Sequence, residues 1–328
     1  MTLRKLLAVL LLLVLGGGAW LAWVLFTPVT PPGQKFVLLR SGLTTRKIAA
    51  ELKAAGVIHN ERAFLIWHYL HRKRSLKAGE YLFERPATVL DVHRRLERGD
   101  IYTHTVVVPE GFTMFDVAGA IEQSGLGSRE DFLKVARSDT DLVRDLAPQA
   151  TSLEGYLFPD TYEFTRTQSM REIAGVMVHH FRQVASAIGL ATDVHPIVTM
   201  ASIVEKETAA PAERPLVASV YYNRLNRRIA LDADPSVIYA ELLAGTYQGA
   251  LHHDDLQTPS PYNTYRNPGL PPGPIANPGR SSLEAAMHPA TSDFLYFVSD
   301  GNGHHRFARN LQEHNRNVSA YRRAMRGP

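Results

Sequence analysis

From Leu6 to Phe26 the chain carries no charged residue, directly after Arg4 and Lys5. A helix over this run rises about 1.5 Å per residue and is long enough to cross the roughly 30 Å hydrocarbon layer of a bilayer. Basic residues only on the N-terminal side keep that end in the cytoplasm and export everything that follows. Trp20 and Trp23 suit the far interface. A cleaved signal peptide is the competing reading, but its apolar stretch is normally shorter, and no convincing small-x-small site ends this one. The segments are therefore a cytoplasmic tail (1–5), a transmembrane anchor (6–26) and a linker (27–35). Pro28, Pro31 and Pro32 should make that linker stiff and extended.

Three hundred and twenty-eight residues, 45% hydrophobic and 21% charged, suffice for two exported globular domains. With no cysteine, disulfides, thiolate nucleophiles and zinc–cysteine sites are excluded. A net charge of +4 gives no reason to invoke nucleic acid, although it suits an acidic polymer or anionic surface.

The exported part contains an internal repeat. Phe36-Val-Leu-Leu-Arg-Ser-Gly-Leu-Thr, followed by Ile48-Ala-Ala-Glu-Leu and Gly56, recurs as Val106-Val-Val-Pro-Glu-Gly-Phe-Thr, followed by Val117-Ala-Gly-Ala-Ile and Gly125. Thr44 and Thr113 can cap helix N-termini, and Gly56 and Gly125 can end those helices. Gly79-Glu-Tyr-Leu-Phe matches Gly155-Tyr-Leu-Phe as the closing strand, so each copy reads strand, helix, helix, strand. That order resembles the LysM module, a βααβ glycan-binding unit. The expected class is α+β: a transmembrane helix, LysM-like βααβ module(s) and a mainly helical α+β catalytic domain. The boundaries are 36–104 for the LysM-like domain and 105–328 for the catalytic domain, whose residues 105–164 hold the second repeat.

After Phe164 the pattern turns helical, with helices expected over Ser169–Gly189, around Glu205, over Glu213–Arg228 and over Pro235–Leu243, the last capped by Asp234. Thr258–Pro278 is too rich in Pro and Gly for regular structure, yet it carries Tyr262, Asn263, Tyr265, Asn267 and Asn277. A loop of that length in a compact domain is usually functional or disordered, and the aromatics argue against disorder. A helix over Ser281–His288, a buried strand over Phe294–Ser299 and a final helix from Asn310 follow.

Within His195-Pro-Ile-Val-Thr-Met-Ala-Ser-Ile-Val-Glu-Lys-Glu-Thr208 an acid sits where a helix should be apolar. Val198 lies about 20° and Ala201 about 40° from Glu205 around an ideal helix. A carboxyl on that arc loses hydration and is expected to hold a proton near neutral pH, the profile of a general acid. On spacing alone, an ion pair with an arginine such as Arg224 accounts for it equally well. Glu207 points to the other side, where a solvated charge is expected. Planar amides and aromatic faces around a carboxyl suit a glycan cleft. There is no His-Glu-x-x-His, Ser-x-x-Lys with its companions, Gly-x-Ser-x-Gly, Walker or dinucleotide motif, and no metal or cofactor is expected.

Leu153-Glu-Gly-Tyr-Leu-Phe-Pro-Asp-Thr-Tyr-Glu-Phe164, Ala201-Ser-Ile-Val-Glu-Lys-Glu-Thr208 and Tyr222-Asn-Arg-Leu225 resemble the endolytic murein transglycosylases, the MltG/YceG-like family. So do Asp234-Pro-Ser-Val-Ile-Tyr239, Ser260-Pro-Tyr-Asn-Thr-Tyr265 and Gly269-Leu-Pro-Pro-Gly-Pro-Ile-Ala-Asn-Pro-Gly279. The resemblance implies a lytic transglycosylase in the cell inner membrane, facing the periplasm and cutting nascent peptidoglycan strands internally. Partners would be glycan strands, and peptidoglycan synthases or divisome and elongasome proteins. It assigns the catalytic acid to the first glutamate of the Glu-Lys-Glu-Thr motif, Glu205. That residue would protonate the oxygen between N-acetylmuramic acid and N-acetylglucosamine, then deprotonate the muramoyl C6 hydroxyl, leaving a 1,6-anhydro end. Tyr262, Asn263, Tyr265, Asn267, Asn223 and Glu154 are the substrate-binding candidates. No second carboxylate is expected opposite the acid, with Glu154, Asp160, Asp232 and Asp234 as the acids to check. Two alternatives remain: a hydrolytic muramidase, and a non-catalytic glycan-binding scaffold.

Overall fold

The computed structural model describes residues 3–71 and 75–325. They form two compact units, one running up to His104 with Glu163–Gln168 added, the other Thr105–Tyr162 with the chain from Ser169 onward.

In the first unit, α1 (Leu3–Phe26) is exposed along most of its length and is long and apolar enough to cross a membrane. Its last turn is different, because Val24 and Leu25 are buried in the unit's core. The strand β1 (Lys35–Leu39) pairs antiparallel with β2 (Gly79–Phe83), Val37 opposite Tyr81. Between them lie α2 (Thr45–Ala54) and α3 (Glu61–Leu70), and α4 (Val89–Arg98) follows. Thr44, Asn60 and Thr88 cap the three helices through side-chain oxygens that accept first-turn N–H groups. Leu39, Leu52, Phe64, Tyr81, Phe83 and Leu96 fill the space between strands and helices. The segment expected as a stiff, extended linker makes contacts with the unit. Val29 exchanges backbone hydrogen bonds of 2.9 and 3.0 Å with Ala87, and Pro31 is buried. The prolines lack donors, but Val29 supplies both a donor and an acceptor, so the segment is pinned to the unit.

The second unit opens with β3 (His104–Val108), α5 (Met114–Gln123), α6 (Arg129–Ser138) and β4 (Asp160–Phe164), with β3 and β4 paired. The repeat is visible in the backbone. Gly42 and Gly111 have φ of 83° and 77°, Gly56 and Gly125 have 72° and 75°, and Thr113 caps α5 as Thr44 caps α2. One register differs from expectation: the second copy closes on Asp160–Phe164, not on Gly155–Phe158. Gly155 has φ 88°, outside strand geometry, and a Cβ there would come within 2.5 Å of Pro274. The Gly155 and Leu157 N–H groups both donate to Asn277 Oδ1 at 2.9 Å, instead of to a ladder.

Then come α7 (Met170–Ala187), started by a Ser169–Glu172 capping box, α8 (Val194–Glu207), α9 (Arg214–Asn226) and α10 (Asp234–Ala244). Asp234 is the first residue of α10 and not its cap, the cap position falling to Ala233. After the long loop, α11 (Arg280–Met287) packs on α8 and α9. The antiparallel strands β5 (Tyr296–Ser299) and β6 (His305–Ala308) and the helix α12 (Leu311–Met325) end the described chain. The β5 strand is shorter than expected and only half-buried.

Candidate active site

The helix α8 is buried nearly all round: Val198 through Val204 have almost no exposed surface. Its last turn carries two carboxylates and sends Glu205 and Glu207 in different directions. Glu205 lies on the apolar arc that Val198 and Ala201 define, as its spacing implies. Its Oε1 accepts from an Arg214 guanidinium nitrogen at 2.8 Å and its Oε2 from the Gly279 N–H at 3.0 Å. The two side chains are 5% and 6% exposed. Arg214 also donates to the Ser281 hydroxyl, and the same nitrogen that holds Glu205 lies 3.4 Å from Glu110 Oε2. The salt-bridge reading therefore describes Glu205 here, with Arg214 in the place given to Arg224. Donors on both carboxyl oxygens make Glu205 a tie between α8, the start of α9 and the start of α11. Glu110, in the turn after β3, is a second carboxylate at this arginine that the motifs did not single out.

Glu207 is partly buried, where a fully solvated charge was expected. It lines a cavity of about 370 Å³ with Tyr221, Asp232, Asp234, Tyr265 and Arg224, closed by Tyr296, Phe297 and His314. The Tyr221 hydroxyl donates to Glu207 Oε1 at 2.6 Å. Burial pushes the Glu207 carboxyl up to about 7; the Tyr221 bond opposes this, the charge of Asp234 adds to it and His305 opposes it. His305 is itself held by Glu213 at 2.7 Å. The strand pair β5–β6 and the Tyr265 segment cover the side of α8 that a helix at the protein surface would leave to water.

Asp232 and Asp234 stand in the same cavity and both are engaged. Arg224 donates to Asp232 Oδ2 at 2.5 Å, and the Tyr265 hydroxyl donates to Asp234 Oδ1 at 2.5 Å. Asp232 has φ 49°, a left-handed conformation uncommon for a residue other than glycine and concentrated at functional sites. Asp160, the other acid to check, pairs with His180 at 3.1 Å.

Of the binding candidates, Tyr265 alone reaches this cavity. Asn263 has no exposed surface; its amide donates to the Leu256 and Thr258 carbonyls and its Oδ1 accepts from the Tyr265 N–H. Asn267 donates to the Ser260 and Asn263 carbonyls, and Asn223 donates to those of Ser292 and Phe294. These amides staple loops, where sugar contact was expected. Tyr262 packs on Tyr239 with ring centroids 5.1 Å apart. Glu154 is fully buried, accepting from the Met114 N–H at the start of α5 and from Asn277 Nδ2 at 2.9 Å. Burial pushes its carboxyl up to about 8. It lies inside the fold, away from any surface that could meet a polymer. Among the described residues no three metal-ligating side chains gather.

Residues 37–320 match the YceG-like family. The chain belongs to that family. An endolytic murein transglycosylase of Bacillus subtilis strain 168 is 33% identical over 94% of this chain and 91% of its own length. One from Streptococcus pneumoniae strain D39 is 30% identical over 90% of this chain, which spans 60% of that longer protein. Among solved structures, a YceG-like protein from Listeria monocytogenes aligns with a TM-score of 0.57 at 32% identity. That alignment covers 86% of this chain and 98% of the other. The YceG-like match begins after α1 and runs through both repeats, the cavity and most of α12.

Proposed function

We propose that this YceG-like protein is an endolytic peptidoglycan lytic transglycosylase whose acid is Glu207, and not Glu205. The observation that carries the reading is a carboxyl poised near neutrality on a cavity walled by tyrosines and carboxylates. A volume of about 370 Å³ falls within the ~300–1,000 Å³ usual for small-molecule sites. Protonated Glu207, oriented by Tyr221, donates to the oxygen linking N-acetylmuramic acid to N-acetylglucosamine as the C1–O bond breaks. The resulting carboxylate takes the proton of the muramoyl C6 hydroxyl while O6 bonds to C1. No water is consumed, and Glu207 ends protonated, ready for another cut. Asp232 and Asp234 place negative charge beside a centre that becomes positive. The named activity of the relatives supports the substrate class. The length and composition of α1 support a single-pass inner-membrane anchor with the remaining chain in the periplasm. The βααβ form of the first unit supports a LysM-like glycan contact.

One observation favours a second reading. Asp232 and Asp234 line the same cavity as Glu207, and a hydrolytic muramidase needs a second carboxylate to act as nucleophile or to activate water. Both aspartates are held by hydrogen bonds from Arg224 and Tyr265, which favours a fixed electrostatic role. Mass spectrometry of digested peptidoglycan separates the two, because anhydro and reducing ends differ by one water. Anhydromuramoyl ends within long strands are expected; reducing ends would establish the hydrolase.

A further inference from the structure

The helices that follow α1 in the first unit differ in what they expose. The exposed positions of α2 are Arg46, Lys47, Glu51 and Lys53 together with the small Ala50 and Ala54. The exposed arc of α3 is different. After Arg62 it consists of Ile66, Tyr69 and Leu70, which are 40%, 47% and 72% exposed. Spaced three and four apart, they form one apolar stripe. An exposed apolar stripe on one helix, beside a helix that exposes charge, points to a contact with a membrane or another protein.

What lies beside α3 identifies the contact. Leu21, Val24 and Leu25 of α1 pack into the core that also contains Ala63 and Phe64 of α3. The Trp23 ring stacks on His59, next to the α3 cap, with centroids 5.7 Å apart. Trp20, Trp23 and Phe26 are exposed on the same end of α1, the aromatic collar expected where a spanning helix leaves the hydrocarbon. No slack separates the helix from the unit, since Val29, three residues after Phe26, is already paired with Ala87. Three residues reach about 10 Å at most, and a unit so tethered stays at the bilayer surface.

We propose that the Ile66–Tyr69–Leu70 face of α3 inserts into the headgroup–acyl boundary of the bilayer that α1 spans. The first unit then lies on the membrane, with α3 as a second, interfacial contact beside the anchor. The aliphatic side chains enter the acyl region and the Tyr69 hydroxyl remains among the headgroups. This rests on α1 being a membrane span.

The chain has no cysteine, so single-cysteine variants of the full-length protein carry one spin label each. In nanodiscs of phosphatidylethanolamine and phosphatidylglycerol, power saturation compares collisions with oxygen, which partitions into lipid, and with a nickel chelate, which stays in water. Ile66→Cys, Tyr69→Cys and Leu70→Cys should favour oxygen, lying between Leu12→Cys in α1 and Glu51→Cys on α2. A Leu70→Cys label that favours the nickel chelate as Glu51→Cys does overturns the proposal. So does a Leu70→Cys label shielded from both reagents, which would show protein covering the face, whether a second copy or a partner. If Leu12→Cys also reads as water-exposed, the spanning helix is refuted and the α3 contact falls with it. A lipid-exposed Leu12 with a water-exposed Leu70 refutes the α3 contact alone.

Discussion

Glu205 and Glu207 are separated by two positions, about 200° around the helix, and in the proposed mechanism that rotation divides structure from chemistry. Glu205 meets a guanidinium and a backbone N–H, and these donors hold its carboxyl in place. Glu207 meets a phenol, neighbouring acids and a cavity. Its carboxyl is raised from an ordinary value of 4.5 to about 7, so the folded protein keeps a proton there that the unfolded chain has released. Stability must therefore fall as pH rises from about 4.5 through 7, because the unfolded chain ionises freely while the buried group resists. Glu154, raised to about 8, adds to the same trend up to that pH. Melting temperatures of the wild type and Glu207→Gln across pH 4–9 should converge at the acid end. Above pH 7 the variant should be the more stable of the two. A gap that does not change with pH would mean that Glu207 titrates normally.

At the scale of elements, the loop from Thr258 to Pro278 is ordered by its own amides. Asn263→Ala leaves the Leu256 and Thr258 carbonyls and the Tyr265 N–H without that partner. Unsatisfied buried groups cost about 1–3 kcal/mol each. A clear drop in melting temperature is expected, along with reduced activity, since Tyr265 sits on the same loop. An unchanged melting temperature would return Asn263 to the list of groups that meet substrate. Local order along the chain was readable where one residue type decides the backbone: the threonine caps, the glycines that end α2 and α5, and the period of α8. Reading failed where a partner far along the chain decides. Which arginine meets Glu205, that β5 and β6 cover Glu207, and that Asn277 takes the N–H groups of Gly155 and Leu157 are all long-range facts. Helical spacing gives the direction of a side chain but not what stands there, so the buried acid was visible while its role was not.

For the whole molecule, the proposed anchor α1 decides on which side of a membrane the proposed chemistry takes place. A reporter active only in the periplasm, fused to the C-terminus of the full chain, should be active, and one active only in the cytoplasm should be silent; the opposite pattern would reverse the topology. The claim that one side of α8 holds the fold while the other cuts glycan is tested most directly by two variants of the full-length protein in membranes. Glu207→Gln keeps the shape of the side chain and removes its proton, so it should fold and lose at least the roughly 10²–10⁴-fold that general acid–base catalysis supplies. Glu205→Gln weakens a buried ion pair and should lower the melting temperature, by an amount comparable to the ~3–5 kcal/mol for breaking such pairs. The fraction that remains folded should still release anhydromuramoyl ends. A folded Glu207→Gln protein that cuts peptidoglycan at the wild-type rate, beside a folded Glu205→Gln protein that does not cut at all, would contradict this account and restore Glu205 as the acid.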